Sequence, residues 1–399
     1  MSAKPRSFVL AAILCLPLLS GCQGLPHAAT PPADRRPGNA DVAKPARNVI
    51  LFLADAGGVS TLSGASLLGY NAPQKLHVQQ WPHLGLSDTT PVDEWVSDSA
   101  NGMSSIVTGV KTRNGVISQG PDAVRGSRDG TPSKTILEYA EERGLLTGVV
   151  TTQSIADATP AACYAHANDR KQWGGIFPQA FTPRFGDGVD VLIGAGRGKI
   201  GRQLRERGTS FDALAAQYRR PIHAQLGDVP ASERRPVVVA ERMDVRAATL
   251  KALDILEQSP KGYFLMVEWD AHTDDPAQGL QNVVDFDRLV AEVERRVDLD
   301  ETLLVFTADH SFGFQVDGGG PGQPLLEGFE AWKKTDTEDN EDQPVRLRHV
   351  FVNRTHTGEE VAALATGVGA ERIHGYFPNT HLFQVMLDAW GWKADDAGR

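Results

Sequence analysis

The sequence predicts an α/β fold, a three-layer α/β/α sandwich around a central, mostly parallel sheet. Apolar runs of strand length alternate with helix-like segments, which is the pattern of parallel sheets covered by helices. Acidic residues follow these apolar runs, as expected where strands end at a functional edge. With 399 residues, 41% of them hydrophobic, the chain is long enough to bury one large core.

The predicted elements follow one another along the chain. The apolar run 48–54 ends at Asp55, as expected of a strand buried on both faces. Segments 170–240 and 312–350 lack the alternation and are rich in Gly and Pro, so we predict loop insertions near the site there. Three later helix-like segments each lead into a strand-like run, namely 133–143 into 146–152, 245–258 into 263–267, and 280–296 into 302–307.

Four acids stand just beyond the ends of predicted strands. In parallel sheets, sites lie outside the carboxyl ends of the strands, so we expect these side chains to meet at one edge. The four acids are Asp55, Asp157, Glu268 and Asp309.

Residues 1–21 have the layout of a bacterial signal peptide. Lys4 and Arg6 precede the apolar run 8–19, which is too short to span a bilayer as a permanent helix. The tripeptide Leu-Ser-Gly before Cys22 resembles the lipobox of bacterial lipoproteins, in which cleavage precedes the Cys and that Cys is lipidated. The alternative is an ordinary signal peptide with an incidental Cys.

Three parts are therefore expected: the signal peptide, a lipidated Cys with a flexible, Pro-rich tether over 22–46, and one folded domain over 47–399. Acyl chains on Cys22 would anchor the exported protein to a membrane, on its periplasmic side. Gln23, rather than Asp, after this Cys favours the outer membrane. Cys163 then has no partner for an intramolecular disulfide.

The charge balance argues against a nucleic-acid-binding protein. The formal net charge is −10 and the pI is about 5.6, whereas binding to a phosphate backbone needs clustered Lys and Arg. An anionic substrate must therefore be met locally, by metal ions or a placed Arg.

Three candidate groups carry chemistry, and each has a structural alternative. Asp309-His310 after a strand suits zinc, but such an Asp also commonly caps a helix. Asp55 opens a Gly-rich turn, where it is either a turn residue or a cation ligand. Ser99 precedes a small-residue run that can form a helix, so it is an N-cap or a nucleophile that a metal must activate, since no base is adjacent.

Four motifs stand in the order and approximate spacing found in alkaline phosphatases. The chain resembles that family from about residue 48 to 390. The motifs are Asp98-Ser99-Ala100, the run from Thr152 to Ala162 (TQSIADATPAA), Thr307-Ala308-Asp309-His310 and His356-Thr357-Gly358-Glu359.

The resemblance implies a phosphorylated nucleophile, Ser99, and a clamp on the phosphoryl oxygens, Arg170. It also implies two Zn²⁺ ions and one Mg²⁺ ion as cofactors. His356 would bind the second zinc. The ligands implied for the first zinc are Asp55, Asp309 and His310. Those implied for magnesium are Asp157, Thr159, Glu268 and a bridging Asp55.

The segment 268–275 departs from the family pattern. Relatives typically place an Asp five residues after the Glu and a His four residues later, both on the second zinc, whereas this chain has Thr273 and Ala277 there. The loop is shortened. Asp270 with His272 retains an acid and an imidazole and is the preferred replacement. The alternative, Asp270 with Asp274, keeps the four-residue interval.

The function implied by the resemblance is hydrolysis of phosphate monoesters through a phosphoserine intermediate. A phosphodiesterase or phosphonate hydrolase of the same superfamily is the alternative among enzymes. A lipoprotein that binds phosphate or metal without catalysis is the alternative from another class. The expected partners are small phosphate monoesters and membrane lipid but no nucleic acid, with a homodimer as a candidate assembly.

Overall fold

The structure is a computed structural model that describes residues 44–337 and 343–395. The signal peptide, Cys22 and nearly all of the predicted tether lie outside the described residues, so those expectations stay predictions. No helix in the described part is both long and apolar enough to cross a membrane.

The centre of the molecule is a ten-stranded sheet in the order β13-β2-β12-β8-β1-β7-β3-β4-β6-β5. Strand β12 runs antiparallel to both of its neighbours, and the other pairings are parallel. The ten strands are β1 (Asn48–Asp55), β2 (His83–Asp88), β3 (Leu146–Ser154), β4 (Val191–Ala195), β5 (Ile222–His223), β6 (Val237–Val239), β7 (Tyr263–Asp270), β8 (Thr302–Thr307), β12 (Val361–Gly367) and β13 (Gly375–Pro378). A separate sheet contains β9 (Ser311–Val316), β10 (Val345–Arg346) and β11 (Val350–Thr357).

Helices cover both faces of the large sheet. The helices are α1 (Val59–Tyr70), α2 (Ser99–Thr108), α3 (Ile136–Glu142), α4 (Ala158–Tyr164), α5 (Trp173–Ile176), α6 (Arg197–Glu206), α7 (Phe211–Tyr218), α8 (Val245–Leu256), α9 (Pro276–Glu294), α10 (Phe329–Lys333) and α11 (Thr380–Ala389). Alternate residues of β1 enter two separate cores. Leu51 and Leu53 pack with residues of α2, α4 and α11, whereas Ile50 and Phe52 pack with those of α1, α8 and α9. This is the predicted three-layer sandwich.

The predicted helix–strand pairs are present. Two of the helices begin at different residues from those predicted, because capping residues set where they start. Helix α3 begins at Ile136 because Thr135 caps it, in a reciprocal pair of hydrogen bonds with Glu138. Helix α9 begins at Pro276, four residues before the predicted start. The Asp275 side chain accepts from two backbone N–H groups there, and proline suits the first helical turn.

The prediction of an insertion over 170–240 is wrong. This segment contributes β4, β5 and β6, which extend one side of the main sheet. These strands have five, two and three residues, so they are too short to show a periodic pattern. Segment 312–350, by contrast, contains most of β9, all of β10 and the first residue of β11, in the separate sheet. That sheet begins directly after His310 and carries His356 on β11.

Candidate active site

The predicted acids lie at the carboxyl ends of adjacent central strands. Strand β1 ends at Asp55, which is paired in register with Asp270 at the end of β7. On the other side of β1, β8 ends two residues before Asp309. Strand β3 ends three residues before Asp157, which caps α4 through its contact with the backbone N–H of Ala158. The strand order therefore brings these acids to one edge of the sheet, as the sequence analysis expected.

Ser99 is the first residue of α2, and the helix cap is its neighbour. The Asp98 carboxylate accepts from the Asn101 backbone N–H at 3.0 Å, so the N-cap interpretation belongs to Asp98. The Ser99 side chain is buried, and its Oγ lies 3.1 Å from His310 Nε2 and 3.4 Å from Asp55 Oδ1. The hydroxyl is thus presented to the two side chains expected to hold a zinc ion.

Neither Asp309 nor Asp55 caps a helix. Asp309 is followed by β9, and its carboxylate accepts from the Ala56 backbone N–H at 3.3 Å and from Thr159 Oγ1 at 3.1 Å. Helix α1 begins after Gly58, without a side-chain cap. Ala56 itself has a φ of 67°, a strained conformation of the kind that clusters at functional sites. The capping alternative therefore loses its support, whereas Asp55 does precede a turn and also presents its carboxylate to Ser99 and His310.

The three histidines around Ser99 are each held through the same ring nitrogen, Nδ1. Each Nδ1 contacts an oxygen: His272 that of Asp270 at 2.8 Å, His310 the Ser311 carbonyl at 3.1 Å, and His356 the Ser97 carbonyl at 3.0 Å. In metal sites the second ring nitrogen of a ligating histidine is usually held in this way, which leaves Nε2 for the metal.

The histidines and acids form three overlapping groups. In each group the ligand atoms lie within 4.8 Å of one another, and carboxylates with imidazoles suit zinc. The groups are Asp55 with Asp309 and His310, Asp55 with Asp270 and His272, and His272 with His310 and His356.

Buried carboxylates lie close together at this edge, and their pKa values depart from the usual range. Burial and the charge of Asp55 raise the pKa of Asp309 to about 6, and the pKa of Glu268 lies well above its usual value for the same reasons. Burial opposes ionisation of Asp55 too, but His272, His310 and Arg170 outweigh it and hold its pKa below the usual range. Bound cations would relieve this crowding.

The imidazoles respond in opposite directions. Burial disfavours the charged form of His272, yet the charges of Asp55 and Asp270 raise its pKa to about 9. Burial and the neighbouring His310 lower the pKa of His356 to about 4, so this ring is neutral and ready to ligate at physiological pH.

Arg170 lies between two carboxylates beside the nucleophile. Its two terminal nitrogens lie 3.1 Å from Asp98 Oδ2 and 3.2 Å from Asp157 Oδ1. Its backbone N–H donates to the Gly115 carbonyl at 2.8 Å, which fixes the base of the side chain. The guanidinium is therefore held in place, and its flat donor face suits a phosphoryl group.

The chain matches the model of the alkaline phosphatase family over residues 46–209 and 243–351. This chain belongs to the alkaline phosphatase family. It is therefore a phosphatase enzyme. It is 30% identical to the streptomycin-6-phosphate phosphatase of Streptomyces griseus, over 88% of this chain and 91% of that protein.

Other alkaline phosphatases match at similar levels. The tissue-nonspecific alkaline phosphatase of Rattus norvegicus is 27% identical, over 86% of this chain and 83% of its own. Among solved structures, the alkaline phosphatase from the Antarctic bacterium TAB5 superposes with a TM-score of 0.71 and 25% identity, over 88% of this chain and 100% of its own. The predicted family and fold class are thus confirmed.

The loop after Glu268 is the part of the site for which the sequence left two alternatives open. The structure brings Asp270 and His272 together with Asp55, whereas Asp274 is exposed and belongs to none of the three groups. Thr273 is buried, and its hydroxyl contacts no hydrogen-bond partner among the described residues. Of the two alternatives left open by the sequence, the arrangement favours Asp270 with His272.

The predicted magnesium ligands lie near one another but are less closely grouped than the predicted zinc ligands. Glu268 is fully buried on β7 and accepts a short hydrogen bond from Thr151. Asp157 contacts Arg170, and Thr159 donates to Asp309. Neither Asp157 nor Glu268 belongs to the three groups of described residues, so the magnesium assignment stays a prediction.

The sequence argument gave no role to two residues that position the alkaline phosphatase site. Asp98 holds Arg170 and caps α2, and its place directly before a helix start was the available signal. The Ser97 carbonyl orients His356. No sequence signal exists for this contact, because a backbone carbonyl is common to every residue type.

Proposed function

We propose that this enzyme hydrolyses phosphate monoesters through a phosphoserine at Ser99, with two zinc ions and one magnesium ion. The observation that carries the proposal is the placement of the Ser99 hydroxyl, 3.1 Å from His310 Nε2 and 3.4 Å from Asp55 Oδ1. A serine at the start of a buried helix, facing a carboxylate and an imidazole, is suited to nucleophilic attack.

The three groups of histidines and acids support the two proposed zinc ions, and the magnesium ion is proposed on the resemblance alone. Asp55, Asp309 and His310 would hold the first zinc, and Asp270, His272 and His356 the second. Asp157, Thr159 and Glu268, with Asp55, would hold magnesium, which prefers oxygen ligands. When bound, these ions would lower the pKa of the serine hydroxyl and of water and would offset the charge of the phosphoryl group.

The chain's own residues provide position and charge. Ser99 Oγ gives up its proton to solvent and attacks phosphorus in line with the leaving oxygen, the bond to that oxygen breaks, that oxygen takes up a proton from solvent, and a phosphoserine forms at the N-terminus of α2. There, the helix dipole favours an anion. Arg170 donates to the equatorial oxygens through both terminal nitrogens. Water then attacks the phosphoserine from the opposite side, which frees phosphate and restores the Ser99 hydroxyl.

Ser99→Ala tests this proposal. We expect a fall of at least about 10³-fold in kcat on para-nitrophenyl phosphate, because the nucleophile is removed. The zinc content, measured by elemental analysis, should persist because the ligands are intact. Ser63→Ala, at an exposed position on α1, is the control and should retain full activity. Wild-type monoesterase activity in the Ser99 variant would refute the assignment.

The choice between a monoesterase and a diesterase is tested with matched esters. Arg170 and the cations that the proposed metal ligands would hold favour a phosphoryl group with two free charges, so kcat/KM should be higher on para-nitrophenyl phosphate than on its bis-ester. The reverse order would favour the phosphodiesterase alternative. Streptomycin 6-phosphate is a further candidate substrate, because the S. griseus relative is named for its action on that compound.

We also propose that the enzyme is exported and lipidated at Cys22, as the lipobox-like segment indicates. Cys22→Ser should move the protein from the membrane fraction to the soluble fraction without changing its specific activity. Unchanged fractionation of this variant would contradict the proposal.

A further inference from the structure

The segment between β7 and α9 carries two of the residues proposed to hold the second zinc ion. Asp270 ends β7 and His272 follows two residues later, and Asp270 Oδ1 lies 2.8 Å from His272 Nδ1. The third residue, His356, lies on β11 in the separate sheet, and the centres of the two imidazole rings are 5.7 Å apart. A zinc ion that binds all three side chains therefore depends on how this loop is held against β11.

A buried arginine joins the loop to β11. Arg354 lies two residues before His356, and its Nε donates at 3.1 Å to the backbone carbonyl of Asp274, two residues after His272. The Arg354 side chain is only 6% exposed, and its guanidinium carbon lies 5.0 Å from the centre of the Trp332 ring. A buried guanidinium keeps its charge, so its donors need partners. One of these partners is the loop itself.

The charge of this guanidinium is paired as well. Arg354 Nη2 lies 2.8 Å from Asp336 Oδ1. The Asp336 carboxylate also lies 3.9 Å from Lys333 Nζ, and Lys333 in turn lies 2.9 Å from the Asp275 carboxylate, which caps α9. The loop is therefore held at Asp274 and at Asp275 by two basic side chains that share one carboxylate.

The backbone at Arg354 departs from regular strand geometry. Its φ is 50°, in the left-handed region that residues other than glycine seldom adopt. The pairing of β11 with β9 shifts at this point, because the three residues between Val352 and His356 lie opposite one residue, Gly313. Bulges of this kind redirect side chains and are common beside active sites. Arg354 thus makes its contact with the loop from a bulge directly before His356.

Helix α9 holds the loop at two further points. Asn282 Nδ2 donates to the Asp270 carbonyl at 2.9 Å. A Cβ atom on Gly279 would lie 2.0 Å from the His272 carbonyl oxygen, so the helix packs directly on that peptide group. The carbonyls of Asp270, His272 and Asp274 are thus each in contact with another element, and the contact at Asp274 joins the loop to β11.

We propose that Arg354 is a positioning residue for the second zinc site: it fixes the loop that carries Asp270 and His272 against the strand that carries His356. The inference rests on the proposed function with two zinc ions. Groups that hold metal ligands in place without touching the metal typically contribute about 10- to 100-fold to metal affinity. Loss of the Arg354 contacts should therefore weaken the second zinc ion and leave the first unchanged.

Arg354→Met keeps a long side chain but removes its donors and its charge. We expect the Kd of one of the two zinc ions to rise about 10- to 100-fold, measured on the metal-free protein by competition with a chromogenic zinc chelator of known affinity. The Kd of the other ion should not change. Activity on para-nitrophenyl phosphate should return in excess zinc, with the half-saturating zinc concentration raised by the same factor.

Two further variants separate the contact with the loop from the ion pair. Arg354→Lys keeps a charge beside Asp336 but replaces the separate nitrogens with one, so the same Kd should rise by about tenfold even if the methionine variant does not fold. Asp336→Asn removes the ion pair and leaves Arg354 able to donate to the Asp274 carbonyl. It should lower the melting temperature of the metal-free protein while both zinc Kd values stay as in the wild type.

Arg348→Met is the matched control. Arg348 is an exposed arginine two residues before β11, and it pairs with Glu327. Its replacement should change neither zinc Kd.

The zinc measurements distinguish this inference from the function on which it rests. Unchanged Kd values for both zinc ions in the variants at 354, or an equal rise in Asp336→Asn, would overturn the role of Arg354 while leaving the two-zinc function intact. A wild-type protein that binds fewer than two zinc ions per chain, or that hydrolyses no phosphate monoester, would refute the proposed function and this inference with it.

Discussion

At the scale of single residues, Arg170 is the cation that the chain itself places beside the nucleophile. Arg170→Lys keeps the charge but loses the planar pair of donors. We therefore expect kcat/KM on para-nitrophenyl phosphate to fall by about 10- to 100-fold, the effect of losing a charge-assisted hydrogen bond.

Inhibition by inorganic phosphate should weaken in parallel, because the same donors bind the product. Arg125→Lys is the matched control, since Arg125 is an exposed arginine paired with Asp169 and its replacement should change neither quantity. A variant at 170 with unchanged kcat/KM and unchanged phosphate inhibition would show that the guanidinium does not bind the phosphoryl group.

Motifs led directly to Ser99, Asp309 and His310, because their residue types and order are specific. The choice between His272 and Asp274 stayed open, since loop length does not reveal the path of the backbone. The pairing of β1 with β7 places Asp55 beside Asp270, and this position of Asp270 favours the pair Asp270 and His272. Such register is a property of the folded sheet and has no local sequence signal.

At the scale of elements, the approach of α2 to the strand ends depends on Gly102. A Cβ atom there would lie 2.2 Å from the carbonyl oxygen of Asp309, so helix and loop must separate to admit it. Alanine is intrinsically the better helix residue by about 1 kcal/mol, but overpacking costs about 1–3 kcal/mol or more and prevails here.

Gly102→Ala should therefore lower the melting temperature and reduce activity, because it forces α2 away from Asp309 and so displaces Ser99 from Asp55 and His310. Calorimetry and initial rates measure both. Gly198→Ala, in α6, is the control: its Cβ meets only the Glu241 carboxylate at 3.3 Å. If the Gly102 variant is as stable and active as this control, the tight contact is unimportant.

The junction of α3 and β3, at the opposite end of β3 from the site, contains a buried acid. Burial raises the pKa of Glu141 to about 7, and the charges of Asp190 and Asp187 add to this. The folded state thus holds a proton that the unfolded chain releases near its usual 4.5. This stabilisation is complete below pH 4.5 and is lost as pH rises to about 7.

Glu141→Gln should remove up to about 3 kcal/mol of pH dependence from the free energy of unfolding between these pH values. Urea unfolding at several pH values measures it. Glu142→Gln, at the exposed neighbouring position, should leave the dependence as in the wild type. An identical pH slope in the Glu141 variant would mean that this carboxyl is ionised in the folded protein.

The long central strands were predictable because a strand buried on both faces consists of consecutive apolar residues, as in β1 and β8. The short strands β4, β5 and β6 were not. Strand β4 pairs with β3, and β6 and β5 follow it outward, so their place in the sheet depends on one contact with β3 that segment 170–240 does not encode by itself.

At the scale of the whole molecule, a net charge of −10 coexists with a site for an anionic substrate. The site also concentrates its own carboxylates, because the sheet brings Asp55, Glu268 and Asp309 to one buried edge. Folding thus forces charges together that the unfolded chain keeps apart. Metal ions would offset the negative charge that an anionic substrate meets and would also relieve the repulsion among the buried carboxylates. Stability is therefore coupled to metal binding.

Metal removal should therefore destabilise the protein as well as inactivate it. Treatment with EDTA should abolish activity, and zinc with magnesium should restore it. At a free metal concentration of 100 Kd, one ion adds about 2.7 kcal/mol to the free energy of unfolding. The gain should be smaller at pH 6 than at pH 8, because protons compete for Asp309, with its pKa of about 6, and for His272, with its pKa of about 9. Thermal unfolding with and without metal at both pH values measures this. An equal melting temperature for the metal-free and metal-loaded protein at pH 8 would show that the crowded carboxylates are stabilised by the chain alone.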